Sequence, residues 1–357
     1  MSRLLLLLLL LPLSVLAQNT FAQTSPNLNP NPNLTLEDSQ LDYYLLQAFQ
    51  AKSAPQRIAL NHIGIQVQPV DGAYLVTASL EDYPAQLAGI ERGDKILSVN
   101  GAPFHPVHSF NAAADAEDFT PSPAEYELEV SRNGSSRMLR LTPVFENLYD
   151  SYRTATLNSI QKFPTGNKTI GYVRFWGLSR ASDDLVSMEK IIQQLDDCDG
   201  LIIDLRNSFG YLSASHLDLL FPNRRRYFTT TGSANEHGKL GATGIGDDGD
   251  YYQKPIAVLL NSTTRGGAEL FAYQLSKLER VVTLGEKTAG KIGEFIMQEN
   301  AEGKQLRYLP AEGVLIDGKA FESLGVEPEQ VIAYPFEQST RSDPQYEAAV
   351  ALLLGII

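Results

Sequence analysis

The chain has 357 residues and a formal charge of −13 at neutral pH, from 42 acidic against 29 basic side chains. Such a balance repels nucleic acid and anionic membrane, so neither is expected as a partner, and the adjacent Arg224, Arg225 and Arg226 do not offset it. Cys198 is the only cysteine, which excludes an internal disulfide and leaves stability to packing, and the length calls for two or three domains.

Met1-Ser2-Arg3 opens the chain, followed by an apolar run from Leu4 to Leu16. That run is shorter than the ~20 residues that span a bilayer. With small residues around Ala17 it predicts a signal peptide over 1–17, hence an exported protein, periplasmic or secreted, without stable membrane insertion after cleavage. Residues 18–34, which include Asn29-Pro30-Asn31-Pro32, are polar and predict a disordered linker. Over 35–57 the spacing of Leu36, Leu41, Leu45 and Phe49 predicts an N-terminal helical segment centred on 35–51, with Glu37 and Asp38 near its positive end.

From residue 58 the pattern changes to period two. Ile63, Ile65 and Val67 alternate with Gly64, Gln66 and Gln68, and Asp71-Gly72 turns the chain into Tyr74–Ala78. Pro84–Ala88 reads as a short helix closed by Gly89, and Lys95–Val99 as a third strand before the Asn100-Gly101 turn. Taken over residues 58–147, Asn61-His62-Ile63-Gly64-Ile65, Ala85–Ile90 and Gly93–Gly101 resemble a PDZ domain. The resemblance implies a groove in which a peptide adds as an extra strand, with backbone amides of Ile63, Gly64 and Ile65 taking its terminal carboxylate. Gly64 is then expected to allow close backbone approach. Residues 104–124 depart from this pattern and predict an inserted, mobile segment.

Residues 148–357 alternate strand-like and helix-like stretches. Thr169–Phe175 and Gly200–Leu205 are strands, with Leu185, Met188, Ile191, Ile192 and Leu195 at helical spacing between them. Pro255–Leu260, a helix over Gly267–Leu278, and Val281–Gly285 follow, and Asp343-Pro344 opens a last helix through Leu354. The unbroken apolar runs suit strands buried on both faces. The expected fold is an α/β core of crossover strand–helix units with an inserted or preceding, mostly-β PDZ domain, multi-domain α+β overall.

Three stretches end at strand termini, where open α/β sheets gather their functional loops. They are Asp204-Leu205-Arg206-Asn207-Ser208-Phe209-Gly210, Asn261 through Glu269, and Gly285-Glu286-Lys287-Thr288-Ala289-Gly290-Lys291. Their order behind a PDZ-like region, with Leu324–Pro328 and Asp343-Pro344-Gln345 further on, resembles the C-terminal processing peptidases, also called tail-specific proteases. The resemblance covers roughly 35–355. It implies a serine peptidase of the serine–lysine type acting on protein or peptide C-termini, without metal or other cofactor. Lys291 matches the general base, Gly210 and Gly267 the oxyanion-hole amides, and Glu269 the glutamate three residues after the nucleophile. The nucleophile position itself is Gly266, which has no side chain to attack with. The residue four after the lysine, commonly glutamine in the family, is Phe295, for which Gln298 or Glu294 are the candidate substitutes.

Two functions therefore stand side by side. One is a peptidase with impaired hydrolysis, rescued only if Ser262, Thr263 or Thr264 supplies a hydroxyl to Lys291. The other is a non-catalytic peptide-binding adaptor or regulator. Other chemistry has little support. His62, His105, His108, His216 and His237 show no paired zinc spacing, and His216 with Asp204 or Asp218 lacks an activated-serine motif. Asp247-Asp248-Gly249-Asp250 fits a flexible insert better than a calcium loop.

Overall fold

The computed structural model describes residues 35–111, 119–222, 251–300, 303–311, 315–316, 319–336 and 342–357. The signal-like segment, the linker, the three-arginine run, His237 and the Asp247–Asp250 stretch lie outside them. Strand β1 (Thr35–Glu37) leads into helix α1 (Leu41–Gln50). The helix expected from residue 35 therefore starts later. Thr35, Leu36 and Glu37 instead pair with Arg307, Leu306 and Gln305, so a distant strand takes the backbone bonds that a helical turn would have used.

The PDZ-like region contains β2 (Ala59–His62), β3 (Ile65–Val70), β4 (Ala73–Ser79), α2 (Pro84–Leu87), β5 (Lys95–Val99), β6 (Ala102–Pro103), β7 (Tyr126–Arg132), β8 (Ser135–Leu141) and β9 (Val144–Asn147). Its sheet runs β3-β4-β5-β7-β8, with β6 on β5, while β2 pairs with β9. Asp71 and Gly72 both adopt positive φ, as a two-residue hairpin turn requires. Ile63, Val76, Ile96, Leu128 and Val130 fill its core. Residues 104–111 belong to that core: Phe104, Val107 and Phe110 are buried, and Asn111 accepts from the Asn61 N–H at 2.8 Å. Residues 104–111 are thus packed rather than mobile, because their apolar side chains find partners in the domain core, while 120, 121, 123 and 124 are exposed.

The remainder runs α3 (Leu148–Asn158), β10 (Gln161–Thr165), β11 (Lys168–Arg174), α4 (Ser182–Leu195), β12 (Gly200–Asp204), α5 (Ala214–Leu217), β13 (Ile256–Leu260), α6 (Gly267–Leu275), β14 (Val281–Gly285), β15 (Glu294–Asn300), β16 (Gly303–Leu309), β17 (Leu315–Ile316), β18 (Lys319–Ala320), β19 (Gln330–Val331) and α7 (Pro344–Ile356). The central sheet is β10-β11-β12-β13-β14-β19, parallel from β11 onward. Both of its faces are covered. Leu201, Ile203, Ile256 and Val258 meet α4 and α6 on one side, and Ile202, Ala257 and Leu259 meet α7 on the other. This is why those strands carry no polar alternation. A third cluster joins Tyr44 and Leu45 of α1, Leu60 and Tyr83 of the PDZ-like region, and Trp176 and Phe209 of the core. The described residues from Thr35 to Ile357 accordingly form one compact unit.

Candidate active site

The site forms where β12, β13 and β14 end. After β12 the chain turns sharply, and electrostatics fixes the turn. Asp204 is fully buried and accepts from the Arg206 backbone N–H (2.9 Å) and guanidinium (2.6 Å), while Arg206 also reaches Asp343 (2.7 Å) and Gln345. The Arg206 and Arg174 guanidiniums hold the Asp204 carboxyl below its usual range against the opposing effect of burial. Asn207 takes positive φ, and its N–H donates to Asn261 Oδ1 at 2.9 Å, tying the end of β12 to the end of β13.

Backbone bonds then lace the three loops together. The Arg265 N–H donates to Ser208 O (3.0 Å), the Ala289 N–H to Thr264 O (3.0 Å), and the Gly266 N–H to Lys291 O (2.6 Å). Gly266 and Lys291 are thus paired directly through main chain. Gly266 caps α6 with φ 67° and ψ −143°, a conformation that L side chains rarely adopt and that glycine takes without strain. A Cβ built there would meet Gly210 N at 3.5 Å, Gly210 O at 3.6 Å and Tyr211 Cζ at 3.7 Å, all ordinary contacts. The site has room for a side chain; the sequence does not supply one.

Gly210 and Gly267 lie against each other, a Cβ built on Gly267 falling 2.3 Å from Gly210 O. Neither N–H has an acceptor among the described residues. Gly210 is fixed as glycine twice over, by φ 90° and by Leu178 O, which would stand 2.0 Å from an added Cβ.

Glu269, in the first turn of α6, is fully buried. Its carboxylate accepts from the Gly290 N–H (2.6 Å), the Lys291 N–H (2.7 Å) and the Thr288 hydroxyl. Burial pushes its pKa up, and these donors oppose the shift. With its acceptors engaged, Glu269 acts as a positioning residue that shapes the lysine loop. Lys291 is half-buried, and its ammonium has no hydrogen bond or ion pair among the described residues. Burial and the nearby Arg265 cation lower its pKa, against the pull of the Glu269 and Glu322 carboxylates.

Thr264, Thr263 and Glu294 among the candidate replacement groups are otherwise engaged. Thr264 is fully buried, its hydroxyl donating to Leu205 O at 2.9 Å and accepting from the Asn261 N–H. The Thr263 hydroxyl donates to Asn261 Oδ1 at 3.0 Å, and Ser262 is exposed. Glu294 is salt-bridged to Arg180 at 3.1 Å. Phe295 packs against Tyr308, their ring centroids 5.2 Å apart, and Gln298 sits in β15 opposite Gln305. His216 is buried and pairs through Nδ1 with Ser213 Oγ at 2.8 Å, a contact within one helical turn rather than with Asp204 or Asp218. Sequence reasoning missed Tyr211, whose hydroxyl donates to Ile292 O (2.8 Å) and whose ring borders position 266. It also missed Arg265, paired with Asp42 of α1 at 3.1 Å. The available signal was their place beside glycines at strand ends.

In the PDZ-like region, Ile63 and Ile65 are buried in the core. The Gly64 N–H donates to His62 Nδ1 at 3.2 Å. The close approach that requires glycine at 64 is to the chain itself, since an added Cβ would stand 2.3 Å from Tyr83 Cβ. Strand β3 is an edge of its sheet, and Gln66 reaches Tyr152 Oη (3.0 Å) and Asn207 O (3.3 Å), linking that edge to the β12 turn. Among the described residues no group of three or more His, Cys, Asp or Glu side chains is arranged to hold a metal ion, and no helix is long and apolar enough to cross a membrane.

The chain is similar to known proteins over most of its length. Residues 169–332 match the peptidase family S41 model, and residues 75–117 match a PDZ domain model. A carboxyl-terminal-processing protease of Synechocystis is 25% identical over 316 residues, covering 83% of this chain and 69% of that protein. The carboxy-terminal processing protease CtpA of Bacillus subtilis is 25% identical over 288 residues, covering 78% of this chain and 58% of that protein. A solved structure assigned to the S41 proteases, from Bacteroides fragilis, superposes with a TM-score of 0.51 at 17% identity, covering 84% of each chain.

Proposed function

Because this chain belongs to the C-terminal processing peptidases of family S41, with a PDZ domain ahead of the peptidase domain, we propose that it engages protein C-termini on that scaffold without hydrolysing them. One observation carries the reading. Position 266, paired by backbone with Lys291 and bordered by the amides of Gly210 and Gly267, has no side chain, and the neighbouring Thr264 hydroxyl is buried and bonded to Leu205 O. A lysine base and an oxyanion hole without a nucleophile leave only the small residual rate that binding and electrostatics supply, ~10³–10⁴-fold over water. The protein then serves as a peptide-holding adaptor or as a regulator of an active relative. Export through the 1–17 segment belongs to the same reading on the strength of its sequence, and N-terminal sequencing of protein from the native source tests it.

The test of the central reading is hydrolysis of an unstructured protein with an apolar C-terminus by wild type, Gly266→Ser and Lys291→Ala. We expect wild type and Lys291→Ala to be silent and Gly266→Ser to cut. The positive φ at 266 costs a serine about 1–3 kcal/mol, but the space around it accepts the side chain. Cleavage by wild type that disappears in Lys291→Ala would overturn the proposal and reveal a surrogate hydroxyl.

A further inference from the structure

A serine peptidase holds a carbonyl whose carbon is attacked by the hydroxyl oxygen. A free C-terminal carboxylate at the same place carries a second oxygen, which crowds that hydroxyl. Glycine at 266 removes the conflict, because the nearest atoms to a Cβ built there are 3.5–3.7 Å away. The donors that remain match a carboxylate. The N–H groups of Gly210 and Gly267 come from two different loops and have no acceptors among the described residues.

Charge points the same way. The Lys291 ammonium makes no direct ion pair among the described residues, the Glu269 and Glu322 carboxylates acting on it without a hydrogen bond. Glu269 accepts from Thr288, Gly290 and Lys291 backbone or hydroxyl donors, and Glu322 accepts from the Ile292 and Gly293 N–H groups and the Tyr308 hydroxyl. Arg265 is paired with Asp42. Position 266 is therefore bordered by the Gly210 N and O atoms, at 3.5 and 3.6 Å from a Cβ built there, and tied through its own N–H to the Lys291 carbonyl, so that the half-buried lysine belongs to the same loop junction while the neighbouring carboxylates bond to other donors.

The geometry points to a second carboxylate receptor in this chain: the emptied catalytic centre binds the free C-terminal carboxylate of a peptide, held by the Gly210 and Gly267 amides and the Lys291 ammonium. This rests on the reading that the centre does not hydrolyse. It makes the site selective for peptide acids, such as products of another protease, over internal peptide segments or amidated ends. The PDZ domain then holds chain ends independently of this centre.

The experiment uses the full mature chain and one fluorescent peptide with a penultimate benzoylphenylalanine, made as the free acid and as the C-terminal amide. Anisotropy reads affinity, crosslinks are mapped by mass spectrometry, and the peptide's intact mass is followed throughout. We expect the acid to crosslink to 205–212 or 262–292. Lys291→Met should weaken the acid about tenfold or more, as loss of a charge-assisted bond does, and leave the amide unchanged. Gly266→Ser should weaken the acid severalfold by refilling the space, an arm that stands if Lys291→Met fails to fold. If the acid crosslinks only to 60–66 and both variants bind it as wild type does, the carboxylate is held by the PDZ domain and the inference is wrong. Cleavage of the peptide by wild type would instead sink the non-hydrolytic reading, so the two failures are distinct.

Discussion

Replacing His62 with Gln should erase a specific part of the acid sensitivity of this protein. His62 is 2% exposed, and burial pushes its pKa down from 6.5 to about 3. The bonding explains why protonation is resisted. Nδ1 accepts from the Gly64 N–H at 3.2 Å, so the ring proton sits on Nε2, which faces Ser151 Oγ at 3.0 Å, and Ser151 in turn donates to Asn147 O at 3.1 Å. A proton on Nδ1 would set two N–H donors against each other with no water to separate them. Because the folded pKa is depressed, the native state excludes a proton that the unfolded chain accepts. The stabilisation is full above the unfolded value of 6.5 and is lost as pH falls from there toward about 3. Between about pH 7.5 and pH 5 the loss is about 2 kcal/mol. Urea unfolding at both values measures it, comparing the pH difference in wild type with that in His62→Gln so that other titrating groups cancel. An equal loss in both proteins would refute the assignment. The same bond holds the Gly64 amide, so acid should also loosen the start of the PDZ edge strand, visible as faster amide exchange at Gly64 and Ile65.

Three further outcomes follow from the site. Glu269→Ala strands the Thr288 hydroxyl and the Gly290 and Lys291 amides; at about 1–3 kcal/mol per buried unsatisfied group, partly relieved by loop relaxation, it should cost several kcal/mol in denaturant unfolding and make the 286–292 segment protease-sensitive. Gly210→Ala drives a Cβ to 2.0 Å from Leu178 O, so chemical denaturation should show a loss of more than about 2 kcal/mol, and any activity gained by Gly266→Ser should vanish with it. Lys291, whose pKa is lowered from the ordinary 10.5, should acylate faster than the exposed lysines at mildly alkaline pH, and affinity for a peptide acid should fall as pH rises through that lowered value while Lys291→Met shows no such fall.

Much of the architecture was legible because it is periodic. Two-faced burial leaves unbroken apolar runs in Leu201–Ile203 and Ala257–Leu260, and helical spacing marks Met188 through Leu195. The Asp71-Gly72 turn was legible because few residues tolerate positive φ. The start of α1 was not, since the pairing of Thr35–Glu37 with Gln305–Arg307 joins segments far apart in sequence. That residue 266 is glycine, with no hydroxyl of its own, is legible in the sequence alone. That Gly266 bonds to the Lys291 carbonyl, that its turn retains room for a serine, that Thr264 is locked to Leu205 and that Tyr211 borders the site were decided only by tertiary structure. Each depends on loops from separate parallel strands meeting at one sheet edge, and no local pattern records a distance between them.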